Sequence, residues 1–102
     1  MYSLFIDDLR ELEYIKPTNP EEWKIARSSS EAIETVLKFG VPEFISFDHD
    51  LGGNDTSMIF VKWWTEQFPV IPFPRYMIHS SNPIGAKNLE SYMNSFNRSL
   101  EM

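Results

Sequence analysis

Three short apolar stretches of the chain each end in a cluster of polar side chains, and this repeated pattern restricts the fold most. The central stretch is Phe44–Phe47, followed at once by Asp48-His49-Asp50 and then by Leu51-Gly52-Gly53. An apolar run this short, with aromatic and β-branched residues, predicts a buried strand rather than a helix. Its carboxylates then lie at the carboxyl end of the strand, the edge where open α/β sheets bind ligands.

The other two stretches repeat this arrangement. Tyr2–Ile6 runs into Asp7-Asp8, and Arg75–Ile78 runs into His79-Ser80-Ser81-Asn82-Pro83. A further short strand is predicted at Trp23–Ala26. If the strands are parallel and joined by right-handed crossovers, all three polar clusters meet along one edge of the sheet.

The segments before the central strand carry loop and helix signals. Leu9–Glu22 contains two prolines and only a short apolar periodicity, so it is predicted to be mainly loop. Ser28 is a favourable N-cap with Glu31 in position for a capping box, and Gly40 and Pro42 mark the end of the helix that follows. The predicted apolar face of this helix is Ala32, Ile33, Val36 and Leu37.

Two more helices are predicted after the central strand. One runs from Asn54–Thr56, which offers caps, to about Phe68, and its tryptophans are interpreted as core. The less favoured alternative is an aromatic surface that binds a protein partner or a second copy. The last helix begins at Pro83. Its apolar face is Ala86, Leu89, Met93, Phe96 and Leu100.

This order of elements predicts one α/β domain over residues 1–102, a small three-layer fold with a mostly parallel four-stranded sheet. Apolar residues make up 42% of the chain, so a packed core is expected rather than disorder. The absence of cysteine excludes disulfides and thiolate zinc sites, and the formal charge of -6 opposes general binding to nucleic acid. No signal peptide or membrane-length apolar segment is recognisable, so a cytoplasmic protein without membrane contact is expected.

Four carboxylates converge at the predicted edge: Asp7, Asp8, Asp48 and Asp50. Like charges this close repel one another, and a hard divalent cation with oxygen ligands, Mg²⁺ or Mn²⁺, is the usual remedy. Asp7 and Asp48 are predicted metal ligands because acids at the ends of apolar strands need a partner, whereas Asp8 and Asp50 are either ligands or turn caps. The helix N-terminus after Ser80-Ser81-Asn82 supplies N–H donors that suit a phosphate.

Other residues near this edge are candidates for binding and proton transfer. His79 is predicted to face the acids and titrates near neutrality, so it is the candidate general acid. Arg10 can bind a phosphate in a bidentate manner. Ser80 and Ser81 either contact phosphate or cap the helix. His49 is a hydrogen-bond donor to an acid, a metal ligand or a structural residue of its turn.

The pattern resembles the receiver domain of response regulators. By that resemblance Asp7 and Asp8 bind Mg²⁺ together with Asp48, which is the phosphoacceptor, and Ser80 replaces a phosphate-contacting Ser or Thr. The chain departs from that flavodoxin-like domain because it lacks the fifth strand with its terminal lysine and the last helix, and because a loop replaces the first helix. These departures disfavour ordinary phosphorelay signalling.

A closer resemblance is to the cyclic-phosphate processing receiver domain family. The shared motifs are Asp7-Asp8-Leu9-Arg10, Asp48-His49-Asp50-Leu51-Gly52, and His79-Ser80 followed by Asn82-Pro83 and Gly85. The resemblance implies divalent-metal-dependent, ring-opening hydrolysis of a cyclic phosphate on a nucleotide or nucleotide-derived substrate. The candidate catalytic residues are then Asp48, His79 and Ser80, and the candidate substrate-binding residues are Arg10, His49, Ser81, Asn82 and Gly85.

The alternative is a non-catalytic or phosphoacceptor module that binds a nucleotide, a phosphate or a protein partner. Fold and motif do not separate an enzyme from a binding module, because function depends on the chemistry of the site. The occurrence of the resembled family in bacteria and phages fits a small intracellular protein, located in the host cytoplasm if it is encoded by a phage.

Overall fold

The computed structural model describes residues 1–101 and contains a four-stranded sheet in which every pairing is parallel. The strands are β1 (Ser3–Ile6), β2 (Trp23–Ala26), β3 (Phe44–Phe47) and β4 (Arg75–Ile78). Their order across the sheet is β2-β1-β3-β4, with Ser3 opposite both Trp23 and Phe44. The predicted α/β fold with a receiver-like parallel sheet is confirmed.

Three helices connect or follow the strands: α1 (Ser29–Phe39), α2 (Ser57–Gln67) and α3 (Pro83–Ser99). The Ser28 hydroxyl accepts the N–H of Glu31, as predicted, but the Glu31 carboxylate accepts the N–H of Arg27 instead of completing the box on Ser28. Thr56 occupies the N-cap position of α2 without a side-chain capping bond. The hydroxyl of Ser57 instead donates to the carbonyl oxygen of Asp48, which ties α2 to the end of β3.

One face of the sheet packs against the three helices, which contact one another in the order α1, α2, α3. Alternate strand residues such as Leu4 and Ile6 point to this face and are fully buried. Trp64 is also fully buried, and Trp63 is partly buried against the same cluster, in agreement with the core interpretation of α2. Leu37 is 63% exposed, so its predicted place in the apolar face of α1 is wrong. The buried cluster includes Tyr2, Leu4, Ile6, Ala26, Ala32, Val36, Ile45, Phe47, Phe60, Val61, Trp64, Leu89 and Met93.

The other face of the sheet carries Phe5 and Ser46, with His79 directly after β4, and lies under the connection between β1 and β2. This connection holds only two short 3-10 turns, Leu12–Ile15 and Pro20–Glu22, as the prediction of a mainly loop segment required. Its Tyr14 ring lies 5.9 Å from the His79 ring. The third layer of the fold is therefore this loop. Among residues 1–101, no helix has the length and apolar character needed to cross a membrane.

Candidate functional site

The carboxyl ends of three strands bring Asp7, Asp48 and His79 to one level of the sheet. Each continues the ladder one residue beyond its strand, because Asp7 N–H donates to Ala26, Asp48 N–H to Ile6 and His79 N–H to Phe47. The donor–acceptor distances are 3.1, 2.9 and 3.1 Å. All three side chains belong to buried residues. The predicted meeting of polar clusters at one edge is thus what the parallel topology produces.

Asp7, Asp8 and Asp48 each offer a carboxylate oxygen, and these oxygens lie within 4.8 Å of one another. The structure does not bring Asp50, the fourth predicted metal ligand, into this group. Residue 50 lies beyond the end of β3, where an isolated antiparallel bridge to Thr56 directs the chain toward α2. With strand geometry ended, a spacing of two residues no longer places Asp50 beside Asp48.

Asp7 is the most enclosed acid of the group, with a side chain 1% exposed. Its Oδ1 accepts the N–H groups of Leu9 and Arg10, both at 2.9 Å, and its Oδ2 accepts the imidazole Nε2 of His79 at 2.9 Å. Burial raises the pKa of Asp7, but the two backbone donors and His79 together outweigh burial and hold the pKa below its ordinary value. Asp7 is therefore a carboxylate at neutral pH.

His79 makes hydrogen bonds with both ring nitrogens inside the protein. Nε2 bonds Asp7, and Nδ1 lies 2.8 Å from the hydroxyl oxygen of Ser46. The ring stacks on Phe5 with 4.8 Å between centroids. Burial lowers the pKa of His79 and outweighs the opposing effect of Asp7, which favours the neutral ring with Nε2–H donating and Nδ1 accepting.

These contacts argue against the predicted role of His79 as a general acid. A general acid needs a proton that can reach the substrate, and the Nε2 proton of His79 is held by a buried carboxylate. The strand order explains the difference: Ile78 pairs with Phe47, so His79 follows beside Asp48, and its side chain extends across β3 under the loop to Ser46 and Asp7. His79 holds Asp7 in position.

Arg10 lies between two of the acids instead of facing solvent. Its Nη1 is 3.3 Å from Asp7 Oδ2, 3.2 Å from Asp48 Oδ2 and 3.3 Å from the carbonyl oxygen of His79. The guanidinium carbon is 4.6 Å from the centroid of the Tyr14 ring. Burial lowers the pKa of Arg10, but Asp48 and Asp7 outweigh it and hold the pKa above its ordinary value. The residue predicted to bind phosphate is here the cation of the acid cluster.

Two glycines permit close packing around the loop that follows β3. A side chain on Gly85 would put its Cβ 2.5 Å from Cγ of His49, so the His49 ring packs directly against the first turn of α3. Gly52 has φ +92 and a Cβ there would lie 3.2 Å from Oδ2 of Asp8. Gly85, a predicted substrate-binding residue, thus has a structural reason to be glycine.

The predicted phosphate-binding residues before α3 are partly used as caps. The Ser80 hydroxyl oxygen accepts the N–H of Asn82 at 3.0 Å, and the Asn82 side-chain oxygen accepts the N–H of Gly85 at 2.9 Å. Ser81 is exposed. Asp50 joins this group, because its carboxylate accepts from the Asn82 amide at 3.1 Å and lies 3.0 Å from His49 Nδ1. The Asn82 and His49 hydrogen bonds lower the pKa of Asp50.

Sequence reasoning missed three residues that support the site: Ser46, Arg27 and Asp55. Arg27 Nη1 donates to the carbonyl oxygens of Asp7 and Arg10 and so fixes the backbone of the Asp7-Asp8-Leu9-Arg10 segment. Asp55 accepts the N–H and hydroxyl of Ser29, which anchors α1 to the glycine loop. Only Ser46 left a signal in the sequence, as a polar residue inside an apolar strand.

Comparison with known sequences and structures identifies the chain at the level of its family. No curated protein and no solved structure matches it. The family model described as the cyclic-phosphate processing receiver domain matches residues 2–95, a span that contains β1 through most of α3 and every acid of the cluster. The chain therefore belongs to the cyclic-phosphate processing receiver domain family.

Proposed function

We propose that this protein opens a cyclic phosphate by hydrolysis, with the help of a divalent cation, on a nucleotide or nucleotide-derived substrate. The observation that carries the proposal is the cluster of Asp7, Asp8 and Asp48 at the edge from which α3 begins, in a member of a family named for cyclic-phosphate processing.

The donor set fits a hard divalent cation. Three carboxylates within 4.8 Å supply oxygen ligands, and the site includes two buried residues, Asp7 and Asp48. Asp7, Asp8 and Asp48 would hold Mg²⁺ or Mn²⁺. When bound, such a cation offsets the negative charge of a phosphate and makes its phosphorus a better electrophile.

The chain itself offers two groups for the phosphate oxygens. The Ser80 hydroxyl accepts a backbone N–H, which leaves its own hydrogen free to donate. The first turn of α3 adds backbone N–H groups and the positive end of the helix dipole, although Pro83 supplies no donor. An oxygen anchored at this helix end would lie on the same sheet edge as Asp48.

The proposed reaction adds one water across one ester bond. The water oxygen bonds to phosphorus, the bond from phosphorus to one sugar oxygen breaks, and that oxygen takes a proton, so the product is a phosphomonoester. Since both nitrogens of His79 are engaged, we assign the proton transfer to His49. Asp50 lies 3.0 Å from its Nδ1 and Gly85 packs against the ring, which orients the imidazole.

The proposal is tested with a panel of 2′,3′- and 3′,5′-cyclic nucleotides in Mg²⁺, Mn²⁺ or chelator, with products followed by phosphorus NMR. We expect a phosphomonoester from at least one substrate, no turnover in chelator, and loss of turnover in Asp48→Asn. His49→Gln should slow the reaction by about 10²-fold or more, as expected for loss of a general acid. Cation binding without any ring opening would overturn the enzyme reading and favour a binding module.

The phosphoacceptor alternative has its own measurement. Intact-mass analysis after incubation with acetyl phosphate should find no stable phosphoryl adduct on Asp48, because no lysine contacts Asp48 among residues 1–101. A stable adduct at Asp48 would favour a phosphoacceptor module.

A further inference from the structure

The Arg10 guanidinium contacts two of the three acids that would hold a cation, Asp7 and Asp48. A single nitrogen, Nη1, lies 3.3 Å from Asp7 Oδ2 and 3.2 Å from Asp48 Oδ2. Arg10 therefore bridges acids from two strands, as a metal ion at this edge would.

The hydrogen bonds of Asp7 leave it no unused acceptor position. Its Oδ1 accepts two backbone N–H groups, and its Oδ2 accepts His79 and Arg10. A carboxylate offers about four such positions, so a cation that takes an oxygen of Asp7 must replace one of these partners. Three of them are backbone or buried, whereas the Arg10 side chain is 28% exposed and makes the longest of the four contacts. Arg10 is the partner that can leave without opening the fold.

The charges of the cluster also favour replacement of Arg10 by a divalent cation. Asp7, Asp8 and Asp48 bring three carboxylates together, and Arg10 sets a single guanidinium charge against them. A divalent cation compensates more of this charge than the guanidinium does, and one site is too crowded for both. Only the side chain of Arg10 leaves the acids. Its backbone stays in place, because Asp7 Oδ1 accepts its N–H and Arg27 donates to its carbonyl oxygen.

We propose that Arg10 is a tethered cation that a divalent metal displaces from Asp7 and Asp48, and that the released guanidinium then binds the phosphate of the substrate. This inference rests on the proposed function, since it takes the acid cluster to be a cation site. It makes phosphate binding depend on metal binding, because the arginine is available to an anion only after the metal has replaced it. The site then becomes attractive to phosphate in the order metal first, phosphate second.

The test is calorimetric titration of Mg²⁺ and Mn²⁺ into wild type, Arg10→Gln and Arg98→Gln. Arg98 is exposed at the end of α3, so its substitution changes net charge equally without touching the cluster. Arg10→Gln should bind the cation more tightly by about tenfold, the scale of one lost charge-assisted contact, and Arg98→Gln should behave as wild type. Inorganic phosphate titrated into the metal-loaded proteins should show the opposite order, weaker for Arg10→Gln.

These two opposite changes are what a merely structural arginine would not produce. Equal cation affinity in Arg10→Gln and Arg98→Gln would overturn the displacement while leaving the metal site intact. Absence of cation binding in wild type and in both variants would overturn the metal site itself, and with it the proposed function. If Arg10→Gln does not fold, NMR of the Arg10 side-chain Nε–H in wild type replaces it: a new resonance position on adding Mg²⁺ supports release, and an unchanged one overturns it.

Discussion

The two faces of the sheet are built from alternate residues of the same four strands, yet they are stabilised in different ways. The helix-covered face buries hydrocarbon such as Leu4, Ile6 and Ile45 against α1, α2 and α3. The loop-covered face buries Ser46 and His79 among polar partners. Apolar packing is non-directional, whereas each buried polar group needs a partner in a fixed position. A short strand can thus carry a core and a site together.

The two faces of the sheet also differ in how completely their buried polar groups are hydrogen-bonded. Among the described residues, one buried side-chain nitrogen lacks a hydrogen-bond partner, the indole Nε1 of Trp64 on the helix-covered face. On the loop-covered face, Asp7, His79 and Ser46 form a continuous bonded row from β1 to β3. The helix-covered face therefore tolerates imperfect polar pairing because its stability comes from packing. The loop-covered face, which holds the acids, depends on complete pairing.

The largest expected effect is on the helix-covered face. Leu4→Ala removes a fully buried side chain from the middle of β1 and should lower the free energy of unfolding by about 2–5 kcal/mol. Urea unfolding measures the change. The matched control is Leu37→Ala, which shortens a leucine that is 63% exposed and should cost less than about 1 kcal/mol. Equal losses in the two variants would contradict the buried core described for this face.

A second prediction concerns the phenol on the helix-covered face. Tyr2 donates its hydroxyl to the carbonyl oxygen of Gly40 at 2.6 Å, and burial raises its pKa to about 12. Since the unfolded phenol ionises near pH 10, stability is complete below about pH 10 and falls by about 1.4 kcal/mol for each pH unit up to about 12. Tyr2→Phe should remove the part of this slope that comes from Tyr2 and leave the part that comes from Tyr76, whose pKa burial also raises.

The measurement is the urea midpoint of wild type and Tyr2→Phe between about pH 9 and about pH 11. Tyr14→Phe, at an exposed tyrosine, serves as control and should keep the alkaline slope of wild type. If Tyr2→Phe and wild type lose stability in parallel above about pH 10, the Tyr2 phenol is not what makes folding sensitive to alkali.

The third prediction tests the pairing on the loop-covered face. His79→Phe keeps a ring over Phe5 but removes the partner of the Ser46 hydroxyl and one of the two partners of Asp7 Oδ2, at a cost of about 1–3 kcal/mol. Ser46→Ala in the same background should then cost less than it does in wild type. A double-mutant cycle in chelator should give a coupling of about 0.5–2 kcal/mol. Additive losses would mean that the two side chains act independently.

The same contrast explains how far the sequence reveals the fold. Strands and helices were predictable because their signals are local: Phe44–Phe47 is a short apolar run, and Ser28 precedes a periodic segment. The edge of converging acids was predictable from parallel topology. Hydrogen bonds between side chains of different strands could not be predicted. The contacts of His79 with Asp7 and Ser46 depend on the strand order β2-β1-β3-β4 and on the register, which no local pattern encodes.

Residues on irregular backbone were the least predictable. Asp50 has the same spacing from Asp48 that two residues of one strand face would have, but the strand has already ended and the carboxylate turns to Asn82. The role of Arg10 depends on the path of a proline-containing loop. Both are contacts that a chain makes only after its regular elements have assembled.

The smallest expected effect distinguishes acids that the chain compensates from one that it does not. Asp7 and Asp48 both contact Arg10, whereas among residues 1–101 the Asp8 carboxylate accepts no hydrogen bond. In chelator, Asp8→Asn should therefore relieve repulsion and stabilise the protein by about 0.5 kcal/mol, a shift of about 2–4 °C in melting temperature. Asp48→Asn should give no such gain, because it removes the Arg10 contact together with the charge.

With a cation present, the order of stability should reverse, and Asp8→Asn should be less stable than wild type. A cation that binds only the folded protein adds about 2.7 kcal/mol at a hundredfold excess over its dissociation constant, and Asp8→Asn should lose most of that gain. Thermal melts of wild type, Asp8→Asn and Asp48→Asn in chelator and in Mg²⁺ or Mn²⁺ measure this change of order. Ca²⁺ serves as a control for the size of the site. If Asp8→Asn is no more stable than wild type in chelator, Asp8 is already solvated and does not share the charge of Asp7 and Asp48. The proposed cation site would then consist of Asp7 and Asp48, at the position that the Arg10 guanidinium occupies.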